Sequence, residues 1–171
     1  MHKNSIIVIS FLISACLGIP ENINPIQNFD LNKYLGKWYE IARLDHSFER
    51  GLENVTADYS LLDDNGVRVI NRGFSPNENE WKEAEGKAYF VRSENEGYLK
   101  VSFFGPFYGS YIIFELDKKN YQYAFVCSSS KSYLWLLSRT SNISKDLLDQ
   151  FIEKSKKLGF NTDELIFVKQ N

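Results

Sequence analysis

Histidine and cysteine are scarce in this chain, with two of each among 171 residues. A structural zinc site wants four nitrogen or sulfur ligands, so most zinc architectures are excluded. A framework of several disulfides lacks the thiols to build it. There is no excess of positive charge. Lys and Arg total 20 against 22 Asp and Glu, a net charge of −2, so no nucleic-acid partner is expected. No Gly-rich phosphate loop and no strand–helix alternation appear, which argues against dinucleotide-binding and P-loop domains. Nor is any apolar stretch long enough to cross a bilayer as a helix. The most apolar one, residues 6–15, is about half of the roughly 20 residues required. No metal or cofactor is expected.

What is present is a globular balance, 43% hydrophobic and 25% charged, at a length that suits one domain. Aromatics make up 15% of the chain, including 13 Phe and 10 Tyr, and favour β structure. At the start, Lys3 precedes the apolar residues 6–15, the pattern of a secretory signal. Ile13-Ser14-Ala15-Cys16 resembles the bacterial lipobox. That resemblance implies lipidation of Cys16 and an N-terminal membrane anchor. Leu17 after the cysteine, in place of Asp, resembles sorting to the outer membrane. The alternative is an ordinary signal with a chance cysteine. Acyl chains contribute ~0.8 kcal/mol per buried CH₂, so several of them hold a soluble domain firmly. Residues 19–29, with Pro20, Pro25 and several Asn, read as a tether. The expected division is a lipoprotein signal peptide at 1–15, a lipid-anchored tether at 16–29 and one domain at 30–171.

Beyond Asp30, short apolar-rich runs alternate with turn residues. Strands are expected over 37–44, 54–62, 67–73, 81–91, 98–104, 110–117, 121–127 and 132–139. The separators include Asp63-Asp64-Asn65-Gly66 and Glu94-Asn95-Glu96-Gly97, both rich in turn formers. Near-regular spacing of this kind points to an antiparallel sandwich or barrel. One helix is expected after Ser144, a good N-cap. Leu147, Leu148, Phe151, Ile152 and Leu158 recur at helical spacing and Gly159 follows, a stripe that packs against the outside of a sheet. Residues 164–168 look like a last short strand.

Alternation along the strands assigns one face of each to the interior. Val55, Ala57 and Tyr59 share a face, as do Val67 and Val69, Ala84, Gly86, Ala88 and Phe90, Leu99, Val101 and Phe103, and Tyr133, Trp135, Leu137 and Arg139. Small residues at Ala42, Ala57, Ala84, Gly86 and Ala88 leave volume unfilled if they face inward. An apolar cavity lined by Ala42, Val55, Ala57, Tyr59, Val69, Ala84, Ala88, Phe90, Val101, Phe103 and Trp135 suits an acyl chain. A filled core of alternating small and large residues fits the same composition. Glu40 and Asn71 on an inward face require hydrogen-bond or ionic partners.

Three motifs bear on the choice. Gly36-Lys37-Trp38-Tyr39 opens the first strand, Thr56-Ala57-Asp58-Tyr59 lies in the second, and Ser138-Arg139-Thr140 ends the eighth. In order and spacing they resemble the three motifs of the lipocalin family. Trp38-Tyr39-Glu40-Ile41-Ala42-Arg43, residues 101–109 and residues 133–140 are similar to the bacterial outer-membrane lipoprotein lipocalins, which resemble apolipoprotein D. The resemblance spans nearly the whole chain. It implies an all-β, eight-stranded antiparallel up-and-down barrel with a C-terminal α-helix packed outside. It implies binding of fatty acids or lysophospholipids for lipid storage, transport or membrane maintenance under stress, with the barrel anchored to the outer membrane and facing the periplasm. Within it, Gly36, Trp38, Tyr39, Arg139 and Thr140 are structural, Trp38 plugging the closed end with Arg139 across its indole. Residues 45–54 become a long first loop. There His46, Phe48 and Leu52 are either a lid or a solvated segment. Phe107 and Tyr108 are expected as exposed aromatics or as a self-association patch that makes a homodimer. A turn packed on the barrel end is the alternative.

Two competing classes remain. A structural envelope lipoprotein would have a barrel with no usable cavity. A Cys127-dependent enzyme would need a histidine in contact with that thiol, and His46 is the sole histidine beyond the signal. No Ser-His-Asp or paired-carboxylate spacing stands out, so the reading is a binding protein, not an enzyme.

Overall fold

Turn residues set the spacing of the sheet. The computed structural model describes residues 17–171; the expected signal segment and the lipidation candidate Cys16 lie outside the described residues. The elements are α1 (Leu31–Tyr34), β1 (Gly36–Arg43), β2 (Glu53–Leu61), β3 (Val67–Ser75), β4 (Glu80–Phe90), β5 (Tyr98–Phe104), β6 (Phe107–Leu116), β7 (Tyr123–Cys127), β8 (Leu134–Ser138), α2 (Lys145–Lys157), a 3₁₀ turn (Thr162–Glu164) and β9 (Ile166–Phe167). Each of β1 to β7 pairs antiparallel with the next, and β8 pairs with β1, closing a barrel. Closure leaves no free edge to template aggregation. Where β1 leaves β2, β9 takes its place, pairing Phe167 with Ala42 and Ile166 with Arg43. Gln170 then bonds the carbonyls of Glu40 and Val55 across the same seam.

The sheet has apolar layers on both sides. Inside lie Trp38, Ala57, Tyr59, Val67, Val69 and Ala88 with their neighbours. Outside, α2 covers Ile112, Phe125, Cys127, Leu134 and Leu136, with Phe151 edge-on to Phe125 at 5.0 Å. Ser144 caps α2 by accepting the Leu147 N–H at 3.2 Å. Burying one such aromatic or aliphatic side chain contributes about 1.5–3 kcal/mol, so α2 is held by packing more than by propensity.

The described part of the expected tether, residues 17–29, does not hang free. Gly18 and Ser110 exchange two hydrogen bonds, the Gly18 N–H donating at 3.0 Å and the Ser110 hydroxyl donating to the Gly18 carbonyl at 2.8 Å. Further on, Ile26 bonds Ile113 and Gly97, and Phe29 bonds Asn95. Ile23 is buried in the outer layer. A Cβ on Gly97 would stand 2.7 Å from Ile26, so this close approach requires glycine. The apolar Ile19, Ile23 and Ile26 outweigh the turn signals of Pro20 and Pro25.

One expectation for β1 fails. Its pairing with β8 shifts between Glu40 and Ala42, because Ile41 is an extra residue, a β-bulge. Trp38 and Glu40 face inward, Ile41 and Ala42 both face the helix side, and Arg43 returns to the inside. Ala42 is therefore fully buried under the helix-covered layer and does not line the lumen.

Candidate functional site

The lumen has a floor, a wall and a mouth. The floor is made by α1 and the start of β1. Asp30 caps α1 by accepting from Asn32 N–H. The Tyr34 ring then lies tilted against Trp38, centroids 4.7 Å apart, and the Trp38 indole N–H donates to the Tyr34 carbonyl at 2.8 Å. Arg139 lies over the indole at 3.9 Å. Its guanidinium donates to the carbonyls of Lys33, Tyr34, Leu35, Lys37 and Tyr121. Five carbonyls from two chain segments, residues 33–37 and Tyr121, are thus gathered by one planar donor set, which a lysine cannot match. Gly36 sits at φ +90°, facing Arg139. Tyr39 points outward beneath Lys37, and Thr140 donates to the Asn142 carbonyl.

Above the floor three phenols meet. The hydroxyls of Tyr34 and Tyr59 lie 2.7 and 2.8 Å from that of Tyr111. Burial raises the pKa of all three, so they stay neutral donors. Three O–H protons serve two contacts, which leaves one proton over for another acceptor.

The wall is apolar. Val55, Ala57, Tyr59, Val69 and Ala88 are buried, whereas Phe90, Val101, Phe103, Tyr111 and Trp135 keep part of their surface accessible although they pack against the inner cluster. Each of these inward-facing residues therefore keeps some apolar surface that is not covered by its neighbours. Ala84 shares the face of Gly86 and Ala88 and is exposed. Gly86 is not spare volume. The Phe103 ring would stand 2.8 Å from a Cβ there, so that ring occupies the space. A depression beside α2 is lined by Asp146, Asp149, Glu153 and Lys157 among others and offers nothing to an acyl chain.

The mouth lies at the other end of β1, where the loop of residues 44–52 folds back. The Arg43 side chain, 1% exposed, donates to Glu40 Oε1 and to the Glu49 carbonyl, both at 2.7 Å. His46 Nε2 lies 2.7 Å from Glu49 Oε2, a close contact bent from hydrogen-bond geometry. The Trp135 indole N–H donates to the same carboxylate at 3.1 Å. His46 also stacks on Phe48 at 3.9 Å. Buried charges demand such pairing. Burial, then the neighbouring Glu49 charge, pushes the Glu40 carboxyl well above the usual range despite Arg43. For Glu49, burial acts upward, but His46, Trp135 and Arg43 outweigh it and hold the carboxyl low. Arg43 Nε and His46 Nδ1 are buried without a protein partner among the described residues.

Sequence reasoning gave Glu40 its inward face and placed His46 in the first loop. It missed Arg43 and Glu49, because charged residues in a loop and at a strand end carry no burial signal. The bulge at Ile41 turns Arg43 inward, and the apolar Ile41-Ala42 step conceals it. Of the two aromatics expected to be exposed or to form a self-association patch, Phe107 is 65% exposed, and Tyr108 is half-buried beside Lys100 and Tyr89. Cys127 is distant in kind from a nucleophile. It is fully buried on the helix side, and burial pushes its thiol up to about 12, offset slightly by Lys131.

A closed eight-stranded barrel, plugged at one end by an Arg-capped tryptophan and lined above it by apolar side chains, defines a barrel built around a small-molecule lumen. The description "Lipocalin-like domain" matches residues 29–170. The chain is 61% identical over 170 residues to outer membrane lipoprotein Blc of Vibrio cholerae, with 99% of each chain covered. It is 48% identical to outer membrane lipoprotein Blc of Escherichia coli strain K12, over 94% of this chain and 92% of that one. Apolipoprotein D of Rattus norvegicus is 33% identical over 76% of this chain and 69% of its own. Among solved structures, insecticyanin from Manduca sexta shares the fold with a TM-score of 0.71 at 21% identity, covering 90% of this chain and 87% of that one. This chain belongs to the lipocalin family.

Proposed function

We propose that this lipocalin is an outer-membrane lipoprotein that carries fatty acids or lysophospholipids in its barrel, for lipid storage, transport or membrane maintenance. The observation that carries the reading is the apolar, partly accessible wall between the Trp38 floor and the charged mouth. An acyl chain is the ligand that such a wall favours, since each CH₂ taken from water contributes about 0.8 kcal/mol. The uncommitted Tyr hydroxyl proton below and the unpartnered Arg43 Nε above offer donors to a carboxylate or headgroup. The names of the Blc relatives support the outer-membrane anchor at Cys16. Binding without turnover is part of the proposal, supported by the buried, high-pKa thiol of Cys127.

Mass spectrometry of lipids extracted from the purified protein, with displacement of a fluorescent fatty acid, tests this directly. Ala57→Trp and Ala88→Trp place an indole in the lumen and are expected to weaken binding at least tenfold with the fold retained, about the 1.4 kcal/mol that a tenfold change represents. Unaltered affinity in both variants would refute an interior site. Failure of the parent protein to bind any acyl ligand would favour the structural envelope class.

A further inference from the structure

The two ends of the barrel differ in what they show to solvent. At the mouth, Phe104 and Phe107 flank the β5–β6 turn with 82% and 65% of their surface exposed, and Phe48 in the first loop exposes 61%. Trp81, just past the β3–β4 turn, exposes 55%. At the floor end, Leu61 is the one exposed large hydrophobic residue next to a turn among the described residues. Large aromatics gathered at one rim, where water gains nothing from them, mark an interaction surface.

The path of the N-terminal segment says what covers that rim. Gly18 is tied to Ser110 by two hydrogen bonds, and Ser110 stands three residues from Phe107 on β6. At about 3.3 Å per residue that is roughly 10 Å from the turn, against about 20 Å from Leu116 at the floor end of the strand. Cys16 precedes Gly18 by two residues, a span of at most about 7 Å. From Gly18 onward the segment runs toward the floor and is pinned at Ile113, Gly97 and Asn95. There is no slack with which to swing the floor toward a membrane that holds residue 16.

We propose that the barrel docks mouth-first on the lipid leaflet, with Phe48, Phe104 and Phe107 in the interfacial region beside the anchor. The lumen then opens onto the bilayer, and an acyl chain passes between them without crossing water. This rests on the reading of Cys16 as lipidated and of the cargo as lipid.

The test uses the acylated full-length protein in vesicles of phosphatidylethanolamine and phosphatidylglycerol. Nitroxides are placed at Phe107→Cys, Phe48→Cys and Leu61→Cys, the buried Cys127 being shielded from the label. The labels at 107 and 48 are expected to become several-fold more accessible to oxygen than to an aqueous nickel chelate, while the label at 61 stays accessible to nickel. Vesicle-bound protein with equal nickel access at 107 and 61 would overturn mouth-first docking and leave anchor and cargo intact. Protein that does not float with vesicles would overturn the anchor itself. Spin–spin broadening at 107 without vesicles would assign the rim to a second copy and overturn the proposal. As a kinetic check, Phe104→Ser with Phe107→Ser is expected to slow transfer of a fluorescent fatty acid from vesicles several-fold, with the equilibrium affinity measured without vesicles unchanged. An unchanged transfer rate would count against docking.

Discussion

The floor and the mouth finish the two ends of this barrel with opposite chemistry. The floor uses aromatic rings and one guanidinium that spends its donors on backbone carbonyls. It buries little charge in conflict. The mouth uses two carboxylates, a guanidinium and an imidazole, with Arg43 Nε and His46 Nδ1 left without a protein partner. A guanidinium that stays charged and rings that do not titrate answer little to pH. A buried ionic cluster answers to pH and to any incoming polar group. The floor is therefore the part that stabilises, and the mouth is the part that responds.

Three variants sharpen this contrast. Trp38→Ala removes the buried plug and is expected to cost about 3–5 kcal/mol, the usual penalty for deleting a large core aromatic. Thermal unfolding reads it, and an unchanged Tm would remove Trp38 from the floor's framework. Arg139→Lys keeps the charge but loses the fork that gathers the carbonyls, which are exposed or part-buried; the expected loss is about 1.5 kcal/mol, the scale of one hydrogen bond to a charged group. If the two substitutions prove additive, the cation–π pairing carries no coupling, and the floor is not a unit. The smallest effect belongs to the mouth. Glu40 holds its proton above the pH at which an unfolded glutamate releases it. The folded state thus binds more protons than the unfolded one in that window. Stability from this group is full below the unfolded value and falls as pH rises toward the folded one, by at most about 1.4 kcal/mol per pH unit. Glu40→Gln is expected to flatten that descent in a plot of Tm against pH. A descent of the same slope in the variant would place the proton elsewhere.

Much of the architecture was legible before any coordinates. The turn clusters mark the strand ends because Asn, Asp and Gly tolerate backbone geometries that other residues resist, and the eight expected strands all occur. Ser144 and the apolar stripe after it locate α2. The short helix α1 escaped, since four residues carry too little periodicity, although Asp30 before Leu31 and Tyr34 is a cap signal. Among lining candidates, period-two alternation holds along β2, β3, β4, β5 and β8, where Ala57, Tyr59, Val69, Ala88, Phe90, Val101, Phe103 and Trp135 join the inner cluster. It fails in β1, where an apolar run hides a bulge. The charged cluster escaped for a different reason. Its members are brought together by the return of the first loop, and pairing across a loop leaves no trace in spacing.

That bulge reaches further than the one alanine it displaces. Through Ile41, a single strand serves as keystone for two separate interiors, presenting Trp38, Glu40 and Arg43 to the tube and Ile41 and Ala42 to the layer beneath the helix. Loss of that residue would straighten the strand yet leave Glu40 opposite Leu137, Ala42 opposite Leu136 and Arg43 opposite Trp135, so Arg43 would still face the tube and the layer beneath the helix would lose only the Ile41 side chain.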